Sequence, residues 1–208
     1  MKALLLNCSL KANPETSHTE ALMTRAASIF EDNDIACEII RVADHNIGQG
    51  IAEDLGPGDD WPKLFEKVMD AAILVLGTPI WLGEKSSLAT KVIERLYASS
   101  GRTNAKGQYL YYGKVAGAMA TGNEDGGKMA ARSILYGLQH IGYLIPPQAD
   151  AYWVGEAGPG PSYRDAGTEN AFTRRNTRIM SWNLIHLARM LESTPIPNLG
   201  NRVEEPDG

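Results

Sequence analysis

The feature that most constrains this chain is an alternation of two patterns. Short apolar runs of strand length are separated by segments whose apolar residues recur with helical period. ALLLN (3–7), ACEIIRV (36–42), AAILVLGT (71–78) and KVAGAMAT (114–121) read as strands, and a weaker fifth strand follows Gly142. Helical patterning occupies 17–31, 61–70, 85–98, 126–141 and, longest, 169–192. Strands joined through helices run parallel, and right-handed crossovers cover both faces of the sheet. The run 71–78 is apolar throughout, as a strand buried on both faces must be, whereas Glu38 and Arg41 interrupt 36–42 and suit a sheet edge. The expectation is a three-layer α/β sandwich with a central five-stranded parallel sheet in the order 2-1-3-4-5. In that order ligands bind where strands one and three diverge, beyond the carboxyl ends of the strands.

Residues 1–192 are expected to form one domain, with 193–208 an extended tail containing three prolines, either frayed or laid against a partner subunit. Hydrophobic residues make up 43% of the chain and charged ones 22%, the balance of a globular protein with one packed core. A net charge of −5 provides no global positive field for nucleic acid or anionic lipid, so any phosphate has to be held locally. Cys8 and Cys37 fit two reduced thiols, and they are too few for an iron–sulfur cluster, which takes four thiolates. The apolar run after Lys2 stops at Asn7, too soon for a signal segment, and no apolar stretch reaches membrane-spanning length. A cytoplasmic protein without a membrane partner is expected.

Three segments carry the candidate chemistry. NCSLKANPETSHTEAL (7–22) joins strand one to helix one and contains Ser17-His18-Thr19-Glu20, a capping-box pattern. Free amides and partial positive charge at a helix start bind a phosphate monoester when hydroxyls complete the cage. Ser9, Ser17 and Thr19 are the candidate donors, with Lys11 and His18 beside them. Plain capping explains the same residues equally well. GTPIWLGEKSS (77–87) follows the central strand. There Pro79 fixes the backbone, Trp81 offers a stacking surface and Gly83 allows close approach to a ring, although Trp81 also fits a core cap or a dimer contact. ATGNEDGGKMA (120–130) supplies backbone donors without bulk, or makes a tight strand-to-helix turn. GxxxxGK[ST] and a GxGxxG after strand one are both absent, which disfavours nucleoside triphosphates and Rossmann dinucleotides.

In order and placement these segments resemble the NADPH-dependent FMN reductase family of flavodoxin-like proteins, over roughly residues 2–150. The resemblance implies a flavodoxin-like fold with FMN as cofactor. Its phosphate would lie on Ser9, Leu10, Lys11, Ser17, His18 and Thr19, and its ring on Thr78, Pro79, Ile80, Trp81, Leu82 and Gly83. Further contacts would come from Thr121, Gly122 and Asn123, backed by Gly126 and Gly127. The chain departs from the pattern in a longer first loop with Pro14 and Glu15, and in an acidic third loop with Glu124 and Asp125.

The activity implied is an FMN-dependent NAD(P)H oxidoreductase that passes reducing equivalents to a small acceptor such as a quinone or free flavin. A flavodoxin-type electron carrier and a non-catalytic FMN-binding regulator are the alternatives. Trp81, Tyr152 and Trp153 are aromatic candidates for an open flavin face, the last two fitting core positions equally well. Phe172, Ile179, Trp182, Ile185, Leu187 and Met190 give the last helix an apolar face toward the sheet, with Arg174, Arg175 and Arg178 outside. Those arginines are either solvated or attract NADPH phosphates. His45, His140 and His186 are scattered and read as structural, no metal site is expected, and the family analogy suggests a homo-oligomer, dimer or tetramer.

Overall fold

A computed structural model describes residues 1–123, 125–158 and 160–204. The chain runs β1 (Lys2–Asn7), α1 (His18–Glu31), β2 (Ala36–Arg41), α2 (Trp61–Asp70), β3 (Ile73–Trp81), β4 (Glu84–Lys85), α3 (Ser87–Tyr97), β5 (Val115–Gly122), α4 (Gly127–His140), β6 (Asp150–Val154) and α5 (Ala171–Ser193). Five strands pair in parallel in the order β2-β1-β3-β5-β6, which is the expected 2-1-3-4-5 once the short β4 is set aside. β4 pairs antiparallel with the end of β3 through Ile80–Lys85 and Trp81–Glu84. Both residues of the intervening turn, Leu82 (φ 52°) and Gly83 (φ 78°), have the positive φ that matches hairpin twist.

Strand residues alternate between two apolar layers. Leu4, Leu6, Leu74 and Leu76 pack with α2, α3 and α4, while Ala3, Leu5, Ile73 and Val75 pack with α1 and α5. β2 lies at the edge, as its charges imply: Glu38 bridges to Lys67 at 2.5 Å, and Arg41 turns inward onto Glu20. The fifth parallel strand begins at Asp150, later than Gly142 suggests. Leu144 makes only an isolated bridge to Val115 before Pro146 and Pro147, which lack amide hydrogens, interrupt the pairing.

The face of α5 is a correction to the sequence reading. Its buried stripe is Thr173, Thr177, Met180, Ser181, Leu184, Ile185 and Ala188. Of the predicted apolar positions Ile185 is buried, Ile179, Trp182 and Leu187 are half-buried, and Phe172 and Met190 are exposed. The two threonine hydroxyls bond locally, while the buried Ser181 hydroxyl has no partner among the described residues. Thr177 Oγ1 donates to Thr173 O (2.9 Å) and Thr173 Oγ1 to Tyr152 O (3.0 Å).

The long connection before α2 is organised by a buried ion pair. Arg95 Nη2 lies 2.6 Å from Asp59 Oδ2, with the two side chains 0% and 3% exposed, and the guanidinium sits over the Trp61 ring at 5.6 Å. Arg95 also donates to the carbonyls of Gly48 and Glu53, while Asp59 accepts the amides of Gly48, Leu55 and Trp61. Burial alone would raise the Asp59 pKa. The Arg95 bond and the three amides outweigh it and hold the carboxyl below its ordinary range. The tail folds back on its own chain: Gln108 Nε2 donates to Pro197 O (2.8 Å) and Val203 N to Gly107 O (2.9 Å). Residues 205–208 of the predicted tail lie outside the described residues. Among the described residues no helix is long and apolar enough to cross a membrane.

Breaking the buried pair leaves an uncompensated charge, so Arg95→Met or Asp59→Asn should cost about 3–5 kcal/mol in urea unfolding. Because the Asp59 pKa is depressed, its contribution is present above the unfolded value of 3.8 and is lost as pH falls through the lower folded value. A variant within about 0.5 kcal/mol of the parent would contradict this account.

Candidate flavin site

At the carboxyl ends of β1, β3 and β5 lies a cavity of about 310 Å³, at the low end for small-molecule sites. β1 delivers Ser9, Leu10 and Lys11; the start of α1 delivers Thr16, His18 and Thr19; β3 delivers Pro79, Ile80 and Trp81. β5 contributes Thr121, Gly122 and Asn123, and β6 with the loop after it contributes Trp153, Gly158, Ser162 and Tyr163.

One end of the cavity is polar. Ser17 is the N-cap of α1, and its Oγ accepts from Glu20 N (3.2 Å), so the first-turn amides of His18 and Thr19 have no intrahelical partner. Thr19 Oγ1 lies 2.9 Å from Thr121 Oγ1, joining the helix start to the end of β5. His18 Nδ1 accepts from Arg164 N (3.4 Å), which puts its proton on Nε2. Burial and the neighbouring Lys11 cation lower its pKa below 6.5, so the imidazole is neutral at pH 7 and offers an N–H donor. Pro79, Ile80 and three aromatic residues line the rest. Trp81 is half exposed at the rim, and Trp153, buried on β6, meets Tyr163 edge-on with centroids 5.8 Å apart.

Of the flavin contacts predicted from sequence, eleven line the cavity: Ser9, Leu10, Lys11, His18, Thr19, Pro79, Ile80, Trp81, Thr121, Gly122 and Asn123. Six lie behind it or beside it, among them Gly127, buried at the first position of α4. Ser17 caps α1. Thr78 is fully buried and braces the hairpin, its Oγ1 donating to Pro79 O (2.8 Å) and accepting from Ser86 N (2.9 Å). Leu82, exposed, and Gly83, half-buried, form the hairpin tip. Gly126, at φ 119°, lets the third loop touch that tip, since a Cβ there would stand 2.4 Å from Gly83 O. Asp125 accepts from Gly126 N (2.7 Å), and Glu124 lies outside the described residues. Tyr152 packs on Phe172 (5.6 Å), away from the cavity lining, while Trp153 serves both core and cavity.

Sequence reasoning missed Thr16, Gly158, Ser162 and Tyr163. The last three belong to the Gly/Pro-rich segment after β6, whose described residues reach the cavity wall at these positions. Asn123 Nδ2 clamps the segment by donating to Gly160 O (2.6 Å) and Pro161 O (3.1 Å). The one available signal was the Ser162–Asp165 capping box, which forms and sets Tyr163 inward. The arginines of α5 lie elsewhere, in a separate open groove of about 890 Å³ between α1 and α5, where Glu169 pairs with Arg174 (2.6 Å) and Arg25 (3.9 Å).

An anion-receptive helix start, a neutral imidazole donor and aromatic walls within one cavity suit a planar heterocycle bearing a phosphate. The comparison that decides the family is a match over residues 1–157 to the NADPH-dependent FMN reductases. The chain belongs to that family. It is 39% identical to the 8-demethyl-8-aminoriboflavin-5'-phosphate synthase of Streptomyces davaonensis, over 94% of this chain and 80% of the synthase. It is 48% identical to a divalent metal cation transporter, MntH, of Mycobacterium bovis, over 100% of this chain. There the chain spans only 31% of the relative's length. Among solved structures it resembles RosB with bound 8-demethyl-8-formylriboflavin-5'-phosphate, at TM-score 0.88 and 39% identity, covering 94% of this chain and 82% of that one.

Two outcomes test this geometry. In NMR titrations of the flavin-free protein, His18 should show a midpoint below 6.5, and a midpoint above it would contradict the burial argument. Gly126→Ala should lower stability by about 1–3 kcal/mol in thermal unfolding, since the Cβ meets backbone and the φ is unfavourable.

Proposed function

We propose that the protein holds FMN in this cavity, accepts hydride from NADPH or NADH, and passes reducing equivalents to a small acceptor such as a quinone or a free flavin. The observation that carries the reading is the joining, in one cavity, of a free helix start with aromatic walls. Ser9, Lys11, Thr16, His18 and Thr19 would hold the phosphate, and Pro79, Ile80, Trp81, Gly122, Asn123, Trp153 and Tyr163 the ring system. Thr78, Leu82, Gly83 and Gly126 shape the loops around it, and Ser17 fixes the helix start. Bound flavin supplies the hydride and electron chemistry, so the side chains act by orientation and exclusion of water.

His18 keeps its proton on Nε2 and presents it as a donor without adding a cation. The Thr19–Thr121 contact fixes the distance between the polar end and the β5 loop. Trp81, half exposed at the rim, offers the aromatic surface beside which nicotinamide and acceptor can stack in turn. The free thiols Cys8 and Cys37 support a reducing compartment as the setting.

The synthase relative and the RosB complex favour a second reading, in which a riboflavin phosphate is the substrate. One experiment separates the two. Purified protein is titrated with FMN by visible absorption, mixed anaerobically with NADPH or NADH, cycled with a quinone, and its flavin is then weighed by mass spectrometry. Saturable binding, bleaching by the nicotinamide and an unchanged flavin mass support the reductase. A flavin of altered mass supports the second reading, and absence of binding overturns both.

A further inference from the structure

Beneath the turn between β1 and α1 lies a polar cluster that does not line the cavity. Asn7, the last residue of β1, is fully buried. Its Oδ1 accepts from Ser9 N (3.0 Å), and its Nδ2 donates to Ser17 Oγ and to Glu20 Oε2, each at 3.1 Å. Arg41, the last residue of β2, has a side chain only 8% exposed. Its Nε (2.9 Å) and Nη2 both reach the same Glu20 Oε2, and its Nη1 donates to Glu15 O (2.6 Å).

The carboxylate is the feature that needs explaining. Glu20 stands in the first turn of α1, where its charge gains from the helix field. The same position sets it against any phosphate bound at that helix start, because like charges at short range repel. One oxygen, Oε2, gathers three donors from Asn7 and Arg41, so the carboxylate is fixed on the strand side and its charge is offset by a guanidinium shielded from water. Asn7 meanwhile links Ser9, on the cavity side of the turn, to the Ser17 cap.

We infer that Asn7, Glu20 and Arg41 are positioning residues that make this turn selective for a phosphorylated flavin over the unphosphorylated ring. Asn7 holds the turn in shape, and Arg41 cancels the Glu20 charge that would otherwise repel the phosphate. The inference rests on the reading that the FMN phosphate sits at the start of α1. It adds that discrimination depends on an ion pair outside the cavity lining, and it gives the two partners opposite signs.

The test measures affinity for FMN and for riboflavin, which has the same ring without phosphate, in the parent protein and in Arg41→Met, Arg41→Lys, Glu20→Gln and the Glu20→Gln/Arg41→Met double variant. Circular dichroism confirms folding. Arg41→Met should weaken FMN binding about tenfold and leave riboflavin within about twofold. Arg41→Lys should retain most of the preference, Glu20→Gln should increase it at low salt, and the double variant should return it toward the parent value. Equal losses for both flavins in Arg41→Met, or a reduced preference in Glu20→Gln, would overturn the assignment. Should Arg41→Met fail to fold, Glu20→Gln decides, since it leaves Arg41 in place. A parent protein that binds both flavins equally removes the phosphate reading and this inference with it. A parent that prefers FMN beside variants that leave the ratio unmoved removes the inference alone.

Discussion

Leu74, Val75 and Leu76, at the middle of β3, are shut off from water on both faces of the sheet, and that double burial organises the rest of the molecule. The neighbours of β3, β1 and β5, both run parallel to it, so apart from the short β3–β4 hairpin the chain crosses over through a helix to reach the next strand. All crossover loops then leave from the same edge. The loops after β1, β3 and β5 are neighbours because their strands are neighbours, and the cavity forms where they diverge. Closure of the loops depends on small contacts between them, such as the threonine pair across α1 and β5 and the glycine contact between the hairpin and the third loop.

Two guanidinium–carboxylate pairs show how differently the same chemistry can be used. Arg95 and Asp59 are enclosed together and bind carbonyls and amides around them, so they knit a loop that has no regular structure of its own. Arg41 and Glu20 lie at the junction of a strand end and a helix start, with the carboxylate partly open to solvent. The first pair is remote from the cavity lining and maintains shape. The second lies outside the cavity lining and ties the end of β2 to the first turn of α1.

The strand order, the crossovers and the convergence of three loops were legible in the sequence because each follows from patterning along a contiguous segment. α2 is expected at 61–70 and is found at Trp61–Asp70, with Pro62 at its start, and the charges of β2 marked the edge. What was not legible depended on partners distant in sequence. The buried face of α5 is set by how it packs on β5 and β6, where Thr173, Thr177 and Ser181 are buried and the more hydrophobic Phe172 and Met190 are not. Hydropathy ranks those residues the other way. Tyr163 and Ser162 reach the cavity wall from the segment after β6, and a Gly/Pro-rich composition signals a loop without saying where it goes. Ser17 and Thr78 were read as flavin contacts, but their hydroxyls are engaged by the amides of Glu20 and Ser86 and neither residue lines the cavity.

The clamp that Asn123 and His18 place on loop 155–168 bears on time as well as on shape. Both contacts run from a side chain in the cavity lining to the loop's backbone: Asn123 to the carbonyls of Gly160 and Pro161, His18 to the amide of Arg164. A flavin held as proposed would leave only after these three hydrogen bonds as well as its own contacts with the walls had broken, so exchange would draw on loop and wall together.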